Sequence, residues 1–175
     1  ATTAIAFLCF AEAEVDVAVV EVGLGGRLDS TNVLSPMVSV VTNVALDHTA
    51  ELGDSLSAVA AEKAGIFKPG VPAITGERPG ASLEVLREQA TASGTHLRVL
   101  DEVASAEGIR TDLSGTRFTL DSAAWGRRDV RVALIGAHQA RNAALAAEAL
   151  ALLPDDVRPG WQAVERGFAA ARWPG

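Results

Sequence analysis

Cysteine is almost missing from this chain: Cys9 stands alone among 175 residues. A lone cysteine excludes an internal disulfide and fits a reducing, cytoplasmic compartment. As a small hydrophobe, Cys9 is expected in the core. Long apolar runs are missing too, and no segment reaches the roughly eighteen uninterrupted apolar residues of a membrane span. Positive charge is in deficit: the formal net charge of −7 argues against nonspecific binding to nucleic acid through a basic surface. Residues 1–10 lack the cationic start of a signal peptide, and there is no initiating Met. At the other end, Trp173-Pro174-Gly175 stops without tail-like composition. Both ends read as cut, so the chain is expected to be a piece of a longer protein. Two nucleotide signatures are absent as well. The dinucleotide pattern G-x-G-x-x-G/A fails at Leu28 in Gly23-Leu24-Gly25-Gly26-Arg27-Leu28, and no phosphate-binding G-x-x-x-x-G-K-[ST] occurs. Internal repeats and low-complexity linkers are absent too.

What the chain does have is apolar bulk. Hydrophobic residues make up 49% of it, enough for a folded core at one domain's length. The stretch that organises the reading begins with Val15-Asp16-Val17-Ala18-Val19-Val20, a β-branched run without clean alternation, as in a parallel strand covered on both faces. Glu21 follows at its end, then Gly23, Gly25 and Gly26, which let a backbone turn tightly and approach a ligand. A carboxylate at the end of a buried strand is costly unless something cationic or hydrogen-bonding meets it. This is the expected edge of a nucleotide or metal site.

Helical spacing covers residues 4–14, with Ile5, Leu8 and Cys9 on one side. A second strand is expected over 38–44. Asp54-Ser55 then resembles an N-cap for a helix carrying Leu56, Val59, Ala60 and Lys63, which stops by Gly65. A strand at 71–75, a helix at 83–92 capped by Ser82 and ending near Gly94, and a strand at 96–100 follow. Strands alternating with helices imply a mainly parallel α/β sheet with flanking helices. Between about 105 and 135, segments 109–113, 117–120 and 130–134 alternate with charges and read as a small antiparallel β ribbon. Helices close the chain at 139–152 and about 161–171.

The chemistry-bearing candidates each have a plain reading beside the functional one. Asp47-His48 falls beyond a strand's carboxyl end, where open α/β sheets bind ligands, or else Asp47 caps the next segment and His48 simply packs. Lys63, among alanines near a helix end, either faces solvent in favourable register with the helix dipole or lies against a packed site. Asn142, in a first helical turn, either satisfies local backbone groups or reads a base edge with its paired donor and acceptor.

Taken in order, four motifs resemble one family. They are Glu21-Val22-Gly23-Leu24-Gly25-Gly26-Arg27-Leu28-Asp29-Ser30-Thr31-Asn32; Thr42-Asn43 with Leu46-Asp47-His48-Thr49; Ala61-Glu62-Lys63-Ala64-Gly65-Ile66 with Lys68-Pro69-Gly70; and His138-Gln139-Ala140-Arg141-Asn142. Together they resemble the Mur ligase superfamily, and the G-G-R-L-D-S-T-N loop narrows this to its folylpolyglutamate synthase/dihydrofolate synthase branch. Ser30 departs mildly, since that position is more often Ala. The resemblance implies that residues 1–175 are part of the central ATPase domain. It implies transfer of the ATP γ-phosphoryl group to a carboxylate of a pterin-bearing substrate, dihydropteroate or folate. Attack by the amine of L-glutamate then forms an amide. The protein's task is positioning and charge neutralisation.

The resemblance also assigns roles. Two Mg²⁺ ions are implied, with Glu21 and His48 holding one, although Mg²⁺ by itself prefers oxygen ligands. Lys63 matches a lysine carbamylated by CO₂, and a catalytic role falls to it and to His48. Leu28, Asp29 and Ser30 match the pterin-binding stretch, and Asn142 the residue that touches adenine; Arg27 and Asp47 are supporting. The family's phosphate loop and C-terminal domain are not in the chain, which is therefore expected to be inactive alone. The implied parent is a cytoplasmic monomer with small-molecule partners and neither nucleic acid nor membrane. Two other readings stand: a different Mur-type amino-acid ligase (peptidoglycan precursor or cyanophycin), and a nucleotide-binding module without catalysis.

Overall fold

The computed structural model describes residues 1–46 and 54–173. Helix α1 (Thr2–Glu12) leads by an irregular segment and the glycine loop into a 3-10 turn at Ser30–Val33. A parallel α/β layer follows: β1 (Ser39–Val41), α2 (Leu56–Ala64), β2 (Ala73–Thr75), α3 (Ala81–Ser93) and β3 (Leu97–Val99). The strands lie in the order β1-β2-β3, both pairs parallel, with Ser39 opposite Ala73 and Ala73 opposite Leu97. A short helix, α4 (Leu100–Val103), hands over to an antiparallel sheet of β4 (Ala104–Asp112), β5 (Gly115–Ser122) and β6 (Gly126–Val132). Helices α5 (His138–Ala151) and α6 (Trp161–Ala170) complete the chain.

Strand alternation builds two cores from one sheet. On β2, Ala73 faces a core with Val59, Ala60 and Ala64 of α2 and Leu86 and Ala90 of α3. Ile74, the next residue, joins the other core, formed by Phe118, Leu120, Val130 and Val132 of the antiparallel sheet and the alanine-rich face of α5. Small residues at Ala140, Ala143, Ala144 and Ala147 bring that helix close to both sheets. Trp125 locks the seam, its indole N–H donating to Ala147 O at 2.9 Å and its ring lying 5.5 Å from that of Trp161.

Local signals account for most boundaries. Ser55 caps α2, its Oγ accepting from Ala58 N at 3.2 Å. Gly94 ends α3 in the left-handed conformation at φ 70°. Ser82 is not the cap of α3; it is buried in the first turn, and Gly80 holds the N-cap position.

Two further expectations are corrected. Residues 15–20 form no strand; they have no ladder partner among the described residues, and Val19 is 95% exposed. The apolar run records a preference for pairing, but pairing needs an adjacent edge, and this segment does not hydrogen-bond to β1. Cys9 is likewise exposed, not core, because α1 has no buried residue and nothing described packs on its Ile5 and Leu8 side.

Candidate nucleotide and glycine-loop site

The glycine loop is pressed onto the C-terminal end of α2. A Cβ on Gly26 would lie 2.6 Å from Glu62 O and 2.9 Å from Lys63 O, so only glycine fits. Arg27 extends the joint: its N–H donates to Glu62 O at 2.9 Å, and its guanidinium reaches Glu62 Oε1 at 2.8 and 3.1 Å. Asn32 closes it from the other side, its Nδ2 donating to both Arg27 O and Gly65 O at 3.0 Å. Lys68 Nζ then donates to Asn32 O at 2.9 Å. Gly65 stops α2 with an ordinary helical φ of −60°, so its missing side chain serves approach, since a Cβ there would lie 2.3 Å from Arg27 Cβ. Two motifs far apart in sequence are thus one structural unit, with the half-buried Lys63 at its centre.

Asp29 is the organiser of this loop. Its Oδ2 accepts from Gly23 N and Leu24 N, both at 3.1 Å, and its Oδ1 from Thr31 N at 2.8 Å and Thr31 Oγ1 at 2.6 Å. Those four bonds fill the four acceptor sites of a carboxylate. The Thr31 hydroxyl first, then the Thr31, Leu24 and Gly23 amides, hold its carboxyl below the ordinary carboxylate range against a small opposing cost of burial. Leu28, by contrast, is 79% exposed, and Ser30 is exposed with its Oγ 2.7 Å from Thr3 Oγ1. Glu21 is exposed just before the loop. Asp47 and His48 lie outside the described residues.

Asn142 belongs to a second feature, a cleft of about 1090 Å³ at the carboxyl ends of β1 and β2. Its walls are Thr42-Asn43-Val44, Gly76-Glu77-Arg78 and the first turn of α5, with Asp101 beside them. His138 Nε2 and Gln139 Nε2 lie 3.0 Å apart, and Asn142 Nδ2 donates to Gln139 Oε1 at 3.2 Å, leaving the Asn142 carbonyl toward an exposed surface. Glu77, Asp101 and Arg141, which line the cleft, were given no role from the sequence. Glu77 was findable, because it is another carboxylate just past a buried strand, the feature that drew attention to Glu21.

Among the described residues no three His, Cys, Asp or Glu side chains gather as a metal-binding group. A closed structural-zinc set is therefore not formed there, whereas a lone exposed carboxylate such as Glu21 fits Mg²⁺, which keeps several waters and substrate oxygens around it.

Comparison with known proteins places this geometry. The family profile of the Mur ligase middle domain matches residues 2–150. The chain belongs to that family. This middle domain is 40% identical over 177 residues to a folylpolyglutamate synthase of Lacticaseibacillus casei, covering 98% of this chain and 41% of the relative. It is 36% identical over 176 residues to a dihydrofolate synthase/folylpolyglutamate synthase of Bacillus subtilis, covering 99% and 41%. Among solved structures, the FPGS–AMPPCP–folate complex superposes with a TM-score of 0.91 at 39% identity, over 99% of this chain and 43% of that one. The chain thus spans about two fifths of the curated relatives' length.

Proposed function

We propose that this chain is the nucleotide-binding middle domain of a longer ATP-dependent ligase, which joins L-glutamate to a carboxylate of dihydropteroate, folate or both. The observation that carries the reading is the close likeness, over nearly the whole chain, to a structure holding an ATP analogue and folate. The knitted glycine loop and the Asn142 cleft offer two separate surfaces, one for the pterin-bearing acceptor and one for the nucleotide. A free cysteine supports a reducing, cytoplasmic setting.

In this reading the residues divide the work. Asn142 offers its amide to the adenine edge. Glu21, with His48, holds Mg²⁺, one of two ions, which when bound neutralises phosphate charge during transfer. Lys63, as its carbamate, adds a carboxylate beside the glycine loop. The 28–30 stretch meets the pterin, Leu28 offering apolar surface and Ser30 a hydroxyl; Asp29 acts through the loop shape it holds, since its acceptor sites are engaged. Arg27 supports the same loop through Glu62. Positioning and electrostatics then carry the phosphoryl transfer and the amide-forming attack.

The test is ATP-dependent incorporation of labelled glutamate by the full-length polypeptide, with dihydropteroate and with a reduced folate as separate acceptors. Product with either acceptor is expected. Nucleotide binding without product under any acceptor would leave the non-catalytic module as the better reading.

A further inference from the structure

The cleft has three walls from three parts of the chain, and two side chains bind them together. Arg141, on α5 beside Asn142, donates from Nη2 to Gly76 O at 2.7 Å. Its fork also grips Asp101, Nη1 to Oδ1 at 2.5 Å and Nη2 to Oδ2 at 3.2 Å. A planar guanidinium held at three points has little freedom left, so the first turn of α5 is fixed against the end of β2. Glu77, next along that turn, accepts from Val44 N with Oε2 at 2.6 Å. That bond ties the turn to the third wall. The junction is tight: Gly76 N donates to Val41 O at 3.0 Å, and a Cβ on Gly76 would lie 2.5 Å from Thr42 O and 3.2 Å from Leu145 Cδ2. Thr75 and the Glu77 amide continue the same network, Thr75 Oγ1 donating to Val41 O and accepting from Glu77 N, each at 3.0 Å.

We propose that Arg141 and Glu77 are positioning residues that hold the Asn142 wall, the Gly76-Glu77 turn and the Thr42–Val44 wall in one register for the nucleotide. The proposal rests on the cleft being the nucleotide site. Neither residue is asked to touch the reacting atoms. Glu77 works as a hydrogen-bond acceptor for a backbone amide, so its charge is dispensable. Gln keeps an acceptor oxygen, and Ala does not. Arg141 works through its fork, so Lys preserves charge but not the simultaneous grip on Gly76 O and Asp101.

The experiment compares Glu77→Gln, Glu77→Ala, Arg141→Lys and Arg141→Ala in the full-length polypeptide. AMPPCP affinity is measured by calorimetry with Mg²⁺ present, unfolding temperature in parallel, and hydrogen exchange at the Val44 amide. Glu77→Gln is expected to bind within about twofold of the parent, and Glu77→Ala roughly tenfold more weakly with faster Val44 exchange, the equivalent of one lost hydrogen bond. Arg141→Ala is expected to lose roughly tenfold and Arg141→Lys to recover only part of it. Equal loss in Glu77→Gln and Glu77→Ala would overturn the proposal, because it would mark a required charge, as in a cation ligand. So would unchanged AMPPCP affinity in folded alanine variants. Failure of the unsubstituted protein to bind AMPPCP at all would instead strike the nucleotide reading itself.

Discussion

Replacing Glu148 with Gln should change how stability depends on pH, and the structure fixes the sign. Glu148 is on α5, wholly buried against β5. Its Oε1 accepts the Ser122 hydroxyl proton, and its Oε2 has no partner among the described residues. Ser122 Oγ has no second proton to give, and it already accepts from Ala124 N and Trp125 N at 3.1 and 3.0 Å. Burial pushes the Glu148 carboxyl above its ordinary value of 4.5, and the Ser122 bond and the positive field of Arg98 only partly offset this. The folded chain therefore binds a proton that the unfolded chain has released over the window above 4.5. Stability from this group is full below that value and is lost as pH rises through the raised one, at up to about 1.4 kcal/mol per pH unit. Glu148→Gln removes the titration while keeping an acceptor for Ser122. Its amide nitrogen lands at the orphan position, which costs about 1–3 kcal/mol at every pH. The diagnostic is therefore the slope of the difference between variant and parent, not its sign at one pH. Thermal unfolding in steps upward from pH 5 should show the variant gaining on the parent until the raised value is passed and levelling off beyond it, by about 2–4 °C for each kcal/mol. Parallel curves would refute the assignment of a raised, buried carboxyl.

Two further substitutions probe the local geometry. Asp29→Asn sets an amide against converging N–H and O–H donors and should destabilise the loop by about 1.5–3 kcal/mol, with faster exchange at the Gly23 and Leu24 amides; unchanged protection would show that the loop does not depend on that carboxylate. Because the Asp29 carboxyl is held low, its contribution is present above 3.8 and fades as pH falls through the depressed value, the opposite sense to Glu148. Ser55→Ala should cost about 1 kcal/mol through loss of the α2 cap, measured by urea unfolding, with Ser55→Thr retaining most of it.

The parallel layer was legible because its signals are local. A β-branched run at 38–44 and shorter apolar stretches at 71–75 and 96–100, with helical spacing and caps between them, give β1, β2 and β3 and the crossovers joining them. The antiparallel ribbon was legible from alternation, although its strands run longer than the apolar stretches suggest, because ladder bonds extend past the buried positions. Residues 15–20 misled, since composition expresses readiness to pair while a partner edge is a property of the whole assembly. Cys9 misled for the same reason. In the site, motif residues such as Asn142 and the glycine loop stood out, but their supports did not. Glu77 and Arg141 act through a backbone amide and a backbone carbonyl, and those partners have no side-chain identity to read. Asp29 resembled a ligand-facing carboxylate, yet its neighbours two to six positions away already occupy it.

The meeting of Gly65 with Arg27 has a consequence for how such domains can be recombined. With no room for even one carbon between them, neither motif can be exchanged for a bulkier version while the other stays. A chimera that took the glycine loop from one relative and the lysine helix end from another would inherit two halves of a joint cut to different patterns. The portable module is the pair, and substitutions in either half should be tolerated only in the background of a matching partner.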